Sequence, residues 1–484
     1  MKPGIWFRQV RTFQLNSRMR NYFLSFCALL SLSFVFFAGE KKVDSSISIS
    51  NSVIYSSIFS FFHYDGSLKN VAKIKQKKSE TLTKEKINLI AQKIASIHNF
   101  ILKGDVNFKI LKRKKLMDRI KSIVFLDYSK LEILDEGRMM IRLGLYPAGA
   151  DYEKTNFSLL EEQVLGLYDI EEHELLLLDA MPEIMAETTL FHEIVHAVQD
   201  QNYDLKNLMK REKGAGDRKL ALTSVMEGDA MIVEELIGGG GFPQELSGKE
   251  LENIMANAGS VWSKIRKVPP VSRKTLLFPY SYGYSFMKRA FIEGGIENLN
   301  RIMQNPPCST EQVIHWESYI NRDNPENVIF TLPENLKKFY RIAMEDVMGE
   351  FSIKTWLGEF VDEEMSDKAS DGWKGDWFVF LWPEDEKLPQ RGIFVLLTQW
   401  DGKGGDSKDS FQFFSALQKM VEKRWKPSKF SNGKEFKIYK NYLGEWIVIL
   451  RNMEKVLYIE GLPANFFNNP FSLAKEILVS SLKQ

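Results

Sequence analysis

Apolar residues recur at three- and four-residue steps from Glu80 to Leu102 (Ile87, Ile90, Ile94, Ile97), a period that predicts an amphipathic helix. Phe108 to Leu111 reads as a short strand and Lys114 to Phe125 as a second helix. Gln163–Tyr168 and Glu172–Asp179 then read as a hairpin, whose second arm holds the run Leu175-Leu176-Leu177-Leu178. Next, Pro182 to about Gln201 has no interior Pro or Gly, and Pro182 suits a first helical position. Stepping about 100° per residue from His192 puts Leu190, Ile194, Ala197 and Val198 on the far side. That helix is apolar behind and polar in front, with Thr189, Gln199 and Asp200 flanking its two histidines. Asp217 to Ile237 is again helical in period and carries Ser224-Val225-Met226-Glu227-Gly228-Asp229-Ala230. Gly238-Gly239-Gly240-Gly241-Phe242-Pro243 ends it as a loop and lacks the Lys-Ser/Thr ending of a phosphate-binding loop.

The pattern changes near Ser366. Strands are expected at Trp377–Leu381 and Gly392–Thr398, then a helix at Phe411–Lys423. Further strands follow at Phe436–Tyr439, Glu445–Arg451 and Lys455–Glu460, with a last helix at Phe471–Leu482. Runs of strands with a few helices make an α+β unit with an antiparallel sheet over residues 366–484. It holds no constellation of catalytic side chains and reads as a packing or substrate-positioning module.

At the other end, Met1 to Arg20 carries Lys2, Arg8, Arg11, Arg18 and Arg20 without an acid, and Tyr22 to Gly39 is uncharged. A basic stretch followed by an apolar run is of export type. Its length is near the minimum for a membrane span, so a cleaved signal ending at Ala38 or Gly39 and an uncleaved anchor are both compatible with it. Residues 40–79 include the Ser-rich stretch Ser45–Ser67 and read as a tether, and Val53–Phe62 is too short to cross a bilayer. Cys27 sits inside the apolar run, so loss of residues 1–39 leaves Cys308 alone and no intramolecular disulfide. Net charge is only +2 over 484 residues, and the densest basic run, Lys112-Arg113-Lys114-Lys115, is a solvated helix start. No nucleic-acid partner is implied.

The chemistry gathers on Phe191-His192-Glu193-Ile194-Val195-His196. Two imidazoles four residues apart share one face of a helix, about a turn apart, close enough to hold one metal ion. Glu193 lies about 100° round, where its carboxylate can take a proton from a bound water instead of binding the ion. The alternative is two packed histidines matching by chance. A third ligand decides between them. The pattern with Gly and His downstream is absent, since Gln199 and Asn202 occupy those positions. Glu227, a carboxylate in an otherwise apolar helical stretch, is the candidate, because burying it unpaired is costly and a cation relieves that cost.

These residues resemble the gluzincin zinc metallopeptidases, in particular a bacterial family with an HELTHALQDQ-like helix and an EGDA ligand helix. The matching stretches are His192 to Gln201, Tyr203-Asp204-Leu205 and Glu227-Gly228-Asp229-Ala230. Others are Glu162 to Asp169, Phe278 to Gly283 and Pro306 to His315, and together they cover roughly Lys84 to Lys387. The resemblance implies a mainly helical zincin-like metallopeptidase domain with a small edge sheet over residues 80–365. A strand just before the active-site helix would form the cleft edge, where an extended peptide can add. It further implies Zn2+ on His192, His196 and Glu227, and Glu193 as general base. Tyr280, three residues before Gly283, stands as the Tyr-x-x-Gly of aminopeptidase N-type gluzincins, donating to the oxyanion. His315 becomes a possible substrate contact. One position departs from the family: the acid expected four residues after the ligand glutamate is Met231. Asp229 lies about 200° round the helix from Glu227, so Asp200, Gln199 or Asp229 would have to support the ligands from behind.

The sequence thus leads to an exported zinc peptidase acting on peptide or protein substrates in the cell envelope or outside the cell. The competing reading is a non-catalytic, zinc-stabilised binding or adhesion protein.

Overall fold

The computed structural model describes residues 82–482 apart from 180–182, 211, 239–246, 250–267 and 403–406. The export-type segment, the tether, Cys27, Pro182 and most of the Gly-rich loop lie outside these. Among the described residues no helix is long and apolar enough to cross a membrane. The architecture is α+β, with a seven-stranded antiparallel sheet towards the C-terminus.

Helix α1 (Lys84–Ile97) starts where the Thr83 side chain accepts from the Lys86 amide, and Ile87, Ile90, Ala91 and Ile94 form its buried stripe. Strand β1 (Asn107–Leu111) leads into α2 (Arg113–Asp127) and α3 (Lys130–Arg142); the latter opens with a capping box between Ser129 and Glu132. Helix α4 (Tyr152–Gln163) precedes β2 (Gly166–Asp169) and β3 (Glu174–Leu178). The first arm of the expected hairpin is therefore shorter than its sequence implied, because Gln163 still belongs to a helix.

These strands form a three-stranded sheet in the order β1-β3-β2. β3 runs parallel to β1, with Phe108 opposite Leu175, and antiparallel to β2, with Tyr168 opposite Leu175. The leucine run thus lies in the central strand, not at a cleft edge. Both of its faces are covered, Leu176 and Leu178 by the core that includes α2 and Leu175 and Leu177 by the one that includes α1, which is why four successive leucines are all buried there. The strand left with a free edge beside the next helix is β2.

Helix α5 (Glu183–Tyr203) and helix α6 (Gly216–Gly238) follow and pack on one another. Leu190, Ile194, Ala197 and Val198, the expected rear face of α5, are buried with α1, β3 and the α6 residues Ala230 and Val233. Helix α7 (Pro270–Phe278) runs into one turn of π-helix at Pro279–Gly283, then α8 (Tyr284–Gln304) and the short α9 (Thr310–Ile314). The π-turn lies against α6 at backbone distance. A Cβ built on Gly228 would overlap the Gly283 carbonyl, and one built on Gly283 would overlap that of Ser224. Only glycine fits on either side.

The large sheet takes its first strand, β4 (Tyr340–Asp346), from ahead of the expected boundary at Ser366. Helices α10 (Gly349–Gly358) and α11 (Glu363–Ser370) intervene before β5 (Trp373–Pro383) and β6 (Ile393–Trp400). Helix α12 (Lys408–Trp425) precedes β7 (Ser428–Asn432), β8 (Phe436–Lys440), β9 (Glu445–Asn452) and β10 (Lys455–Pro463), and α13 (Pro470–Ser480) closes the chain. The strand order is β4-β5-β6-β10-β9-β8-β7, antiparallel throughout.

Both faces of this sheet are covered. Phe394 and Leu396 of β6 share a core with α12 and the N-terminal helices, while Ile393, Val395 and Leu397 pack with Leu473 and Ile477 of α13. Across the joint, Arg142 at the end of α3 grips Glu445 with two bonds of 2.8 and 3.2 Å, and Arg424 of α12 donates to the Arg142 carbonyl while pairing with Glu460 on its own side at 2.7 Å.

The glycine contact between α6 and the π-turn gives a direct test. Gly283→Ala should lower unfolding free energy by about 2 kcal/mol or more, because backbone on both sides must move apart. Gly104→Ala, where a Cβ meets nothing within 4 Å, should leave it nearly unchanged. Urea unfolding of the two variants checks this.

Candidate metal centre

His192 and His196 face out from α5 towards α6, which crosses it and brings Glu227 between them. His192 Nε2 is 2.9 Å from Glu227 Oε2 and 3.1 Å from His196 Nε2, and His196 Nε2 is 3.6 Å from the same carboxylate oxygen. Among the described residues, this is the group whose ligand atoms could hold a metal ion. Three ligand atoms about 2.0–2.1 Å from a tetrahedral centre would lie roughly 3.3 Å apart. The observed separations bracket that value. Glu227 Oε1 is buried without a hydrogen-bond partner, a cost that a cation would relieve. The donor set therefore fits a divalent ion.

All three side chains are at most 2% exposed, so their charges are strongly coupled. Burial pulls the His192 pKa down, but Glu234 and Glu227 overcome this and hold it well above its usual value. His196 is likewise raised against its burial, mainly by Glu227. Burial pushes Glu227 up, and the two imidazoles more than reverse it.

Each imidazole is fixed from behind. His192 Nδ1 lies 2.8 Å from Glu234 Oε1, and His196 Nδ1 lies 2.8 Å from Gln199 Oε1. Both bonds turn Nε2 towards Glu227, the orientation that ligating imidazoles need. Glu234 was not found from the sequence. The expected acid four residues beyond the ligand is Met231, yet an acid seven residues on returns to the same face after two turns.

Gln199 takes the supporting role expected of it. Its Nε2 donates to Asp229 Oδ2 at 2.8 Å and to the Met226 carbonyl at 3.0 Å, tying α5 to α6. Asp229 thus acts one step further back, through Gln199. Asp200 does not support the histidines. About 100° further round α5, it accepts from the Tyr168 hydroxyl at 2.8 Å, lies 2.6 Å from His173 Nδ1 and caps the Leu205 amide at 2.9 Å.

Glu193 is fully buried and accepts the Tyr168 backbone N–H at 2.8 Å. That amide points away from β3, so the free edge of β2 faces α5 beside Glu193. Gly166 makes the approach possible, since a Cβ there would lie 2.8 Å from Thr189 Cγ2 and 3.3 Å from Glu193 Cγ. Burial raises the Glu193 pKa and the two histidines lower it, leaving it at about 6. This is a range suited to accepting and returning a proton.

Tyr280 is buried on the π-turn that packs against α6. His315 stands elsewhere. Its Nε2 is 2.9 Å from Glu350, and it lines a separate acidic cleft.

A family model described as a domain of unknown function (DUF8575) matches residues 338–467, which run from just before β4 to just past β10. That range includes β4 and none of the three metal-facing side chains. No curated protein and no solved structure matches the chain.

The geometry predicts about one equivalent of divalent metal in the purified protein, measured by plasma mass spectrometry. Glu227→Gln and His196→Ala should lose it. Glu234→Gln should keep the ligands yet weaken metal affinity about 10- to 100-fold in a chelator competition.

Proposed function

We propose that the protein is a zinc-dependent peptidase of the gluzincin type, with a zincin-like catalytic region preceding the large sheet. The observation that carries this reading is the convergence of His192, His196 and Glu227 within 3.6 Å, with buried Glu193 on the same helix. A purely structural site has no use for a buried carboxyl beside its ligands.

Zinc held by the three side chains would polarise a water and bring its pKa towards neutrality. Glu193 would serve as the base, accepting a proton as the substrate carbonyl is attacked and returning it to the leaving nitrogen. The Tyr168 N–H holds the Glu193 carboxylate in place meanwhile. The resemblance of the His192–Gln201 and Glu227–Ala230 stretches to gluzincin peptidases is the basis for polypeptide substrates. Tyr280 is assigned the hydrogen bond to the developing oxyanion. The basic and apolar N-terminal stretch is the basis for placing this activity in the cell envelope or outside the cell.

The near-complete burial of the three ligands favours one alternative, a metal-stabilised binding protein without activity. A single experiment separates the two. Wild-type protein should hydrolyse a mixed peptide library and lose this with a chelator. Glu193→Gln should retain its metal and lose about 10²-fold or more in rate. Undiminished hydrolysis by Glu193→Gln removes the assignment of the base, and metal-loaded wild type without hydrolysis supports the binding protein.

A further inference from the structure

The stretch Pro306 to His315 takes no part in the metal centre. It forms one wall of a cleft of about 420 Å³ whose other wall comes from the start of β5 and the end of β6. Glu311, Glu317, Asp323, Asp371, Asp401 and His315 line it, with no lysine or arginine among the described lining residues. Lys374 pairs with Asp323 and lies 3.9 Å from Asp401, and Arg289 holds Glu317 at 3.3 Å. Glu350 sits behind, bonded to His315 at 2.9 Å.

Glu311 is the unusual member. It is only 4% exposed, it lines the cleft, and its Oε2 is buried with no hydrogen-bond partner. A buried carboxyl oxygen without a donor costs about 1–3 kcal/mol. Neighbouring acids deepen that cost.

We propose that this cleft binds an organic cation, the guanidinium or ammonium head of a flexible stem, with Glu311 as the buried anchor and Asp371 and Asp401 at the mouth. The size argues for such a group over a bare ion, since the volume far exceeds a single metal. In addition, the ligand atoms of these acids do not converge as those of the metal centre do. Burial and then Glu350 push the Glu311 pKa up to about 8, with Asp401 adding to the push and Lys374 and His315 opposing it. An arriving cation returns that carboxyl to its charged form. The site is distinct from the zinc ligands. Asp217, which accepts from the Thr310 amide at 3.0 Å, lies ten residues before Glu227 on α6, about 15 Å along the helix.

Isothermal titration of the full chain with N-acetyl-arginine N-methylamide at pH 7.5 tests this, with the uncharged citrulline analogue, spermidine and calcium as further arms. The blocked arginine should bind about tenfold or more tightly than its citrulline analogue. Glu311→Gln should remove that preference without changing metal content. Because Glu311 is buried, the exposed double change Asp371→Asn with Asp401→Asn provides a second variant, expected to weaken binding about tenfold. Binding of spermidine with the same Glu311 dependence supports the site and shows that it accepts a polyamine. Equal affinity for the citrulline analogue, indifference to both variants, or binding of calcium alone overturns the proposal.

Discussion

Everything at the candidate centre depends on α5 and α6 crossing closely enough for one carboxylate oxygen to meet two imidazoles. That crossing is held by hydrogen bonds as well as by packing. Gln199 spans from His196 to Asp229 and the Met226 carbonyl, and Glu234 reaches back from α6 to His192. The network that orients the imidazoles therefore also ties the two helices together. On the far side of α6, paired glycines let the π-turn close in. π-turns often occur at functional sites, and this one puts Tyr280 against the ligand helix.

How much of this was legible differs by interaction range. The rear face of α5, the histidine pair and the lone carboxylate Glu227 could be read because each depends on helical spacing within a few turns. Glu234 escaped because a four-residue offset was expected, although seven residues serve the same face. Asp200 was given a role by its nearness in sequence, yet its carboxylate is taken up by Tyr168, His173 and the Leu205 amide. The strands fared according to burial. β6, β9 and β10 are apolar and stood out. β4 mixes Arg341, Glu345 and Asp346 with apolar residues, and its partner β5 lies two helices later, so nothing local marks it. β7 is a short, mostly polar edge strand that pairs, among the described residues, with β8 alone.

The central place of β3 had a readable sign that pointed the other way. An edge strand with one solvated face alternates, whereas Leu175-Leu176-Leu177-Leu178 does not. An unbroken apolar run is the mark of a strand covered on both faces, and β3 is that strand. The free edge falls to β2, whose Tyr168 amide is the one that holds Glu193.

The joint at Arg142 gives the molecule a mechanical property. Both Arg142 and Glu445 are nearly inaccessible to solvent, and so is Glu460 beneath them. Pulling the helical region off the sheet would break this buried pair and open the core that Phe394 and Leu396 share with the N-terminal helices. The two halves are therefore expected to melt as one cooperative block.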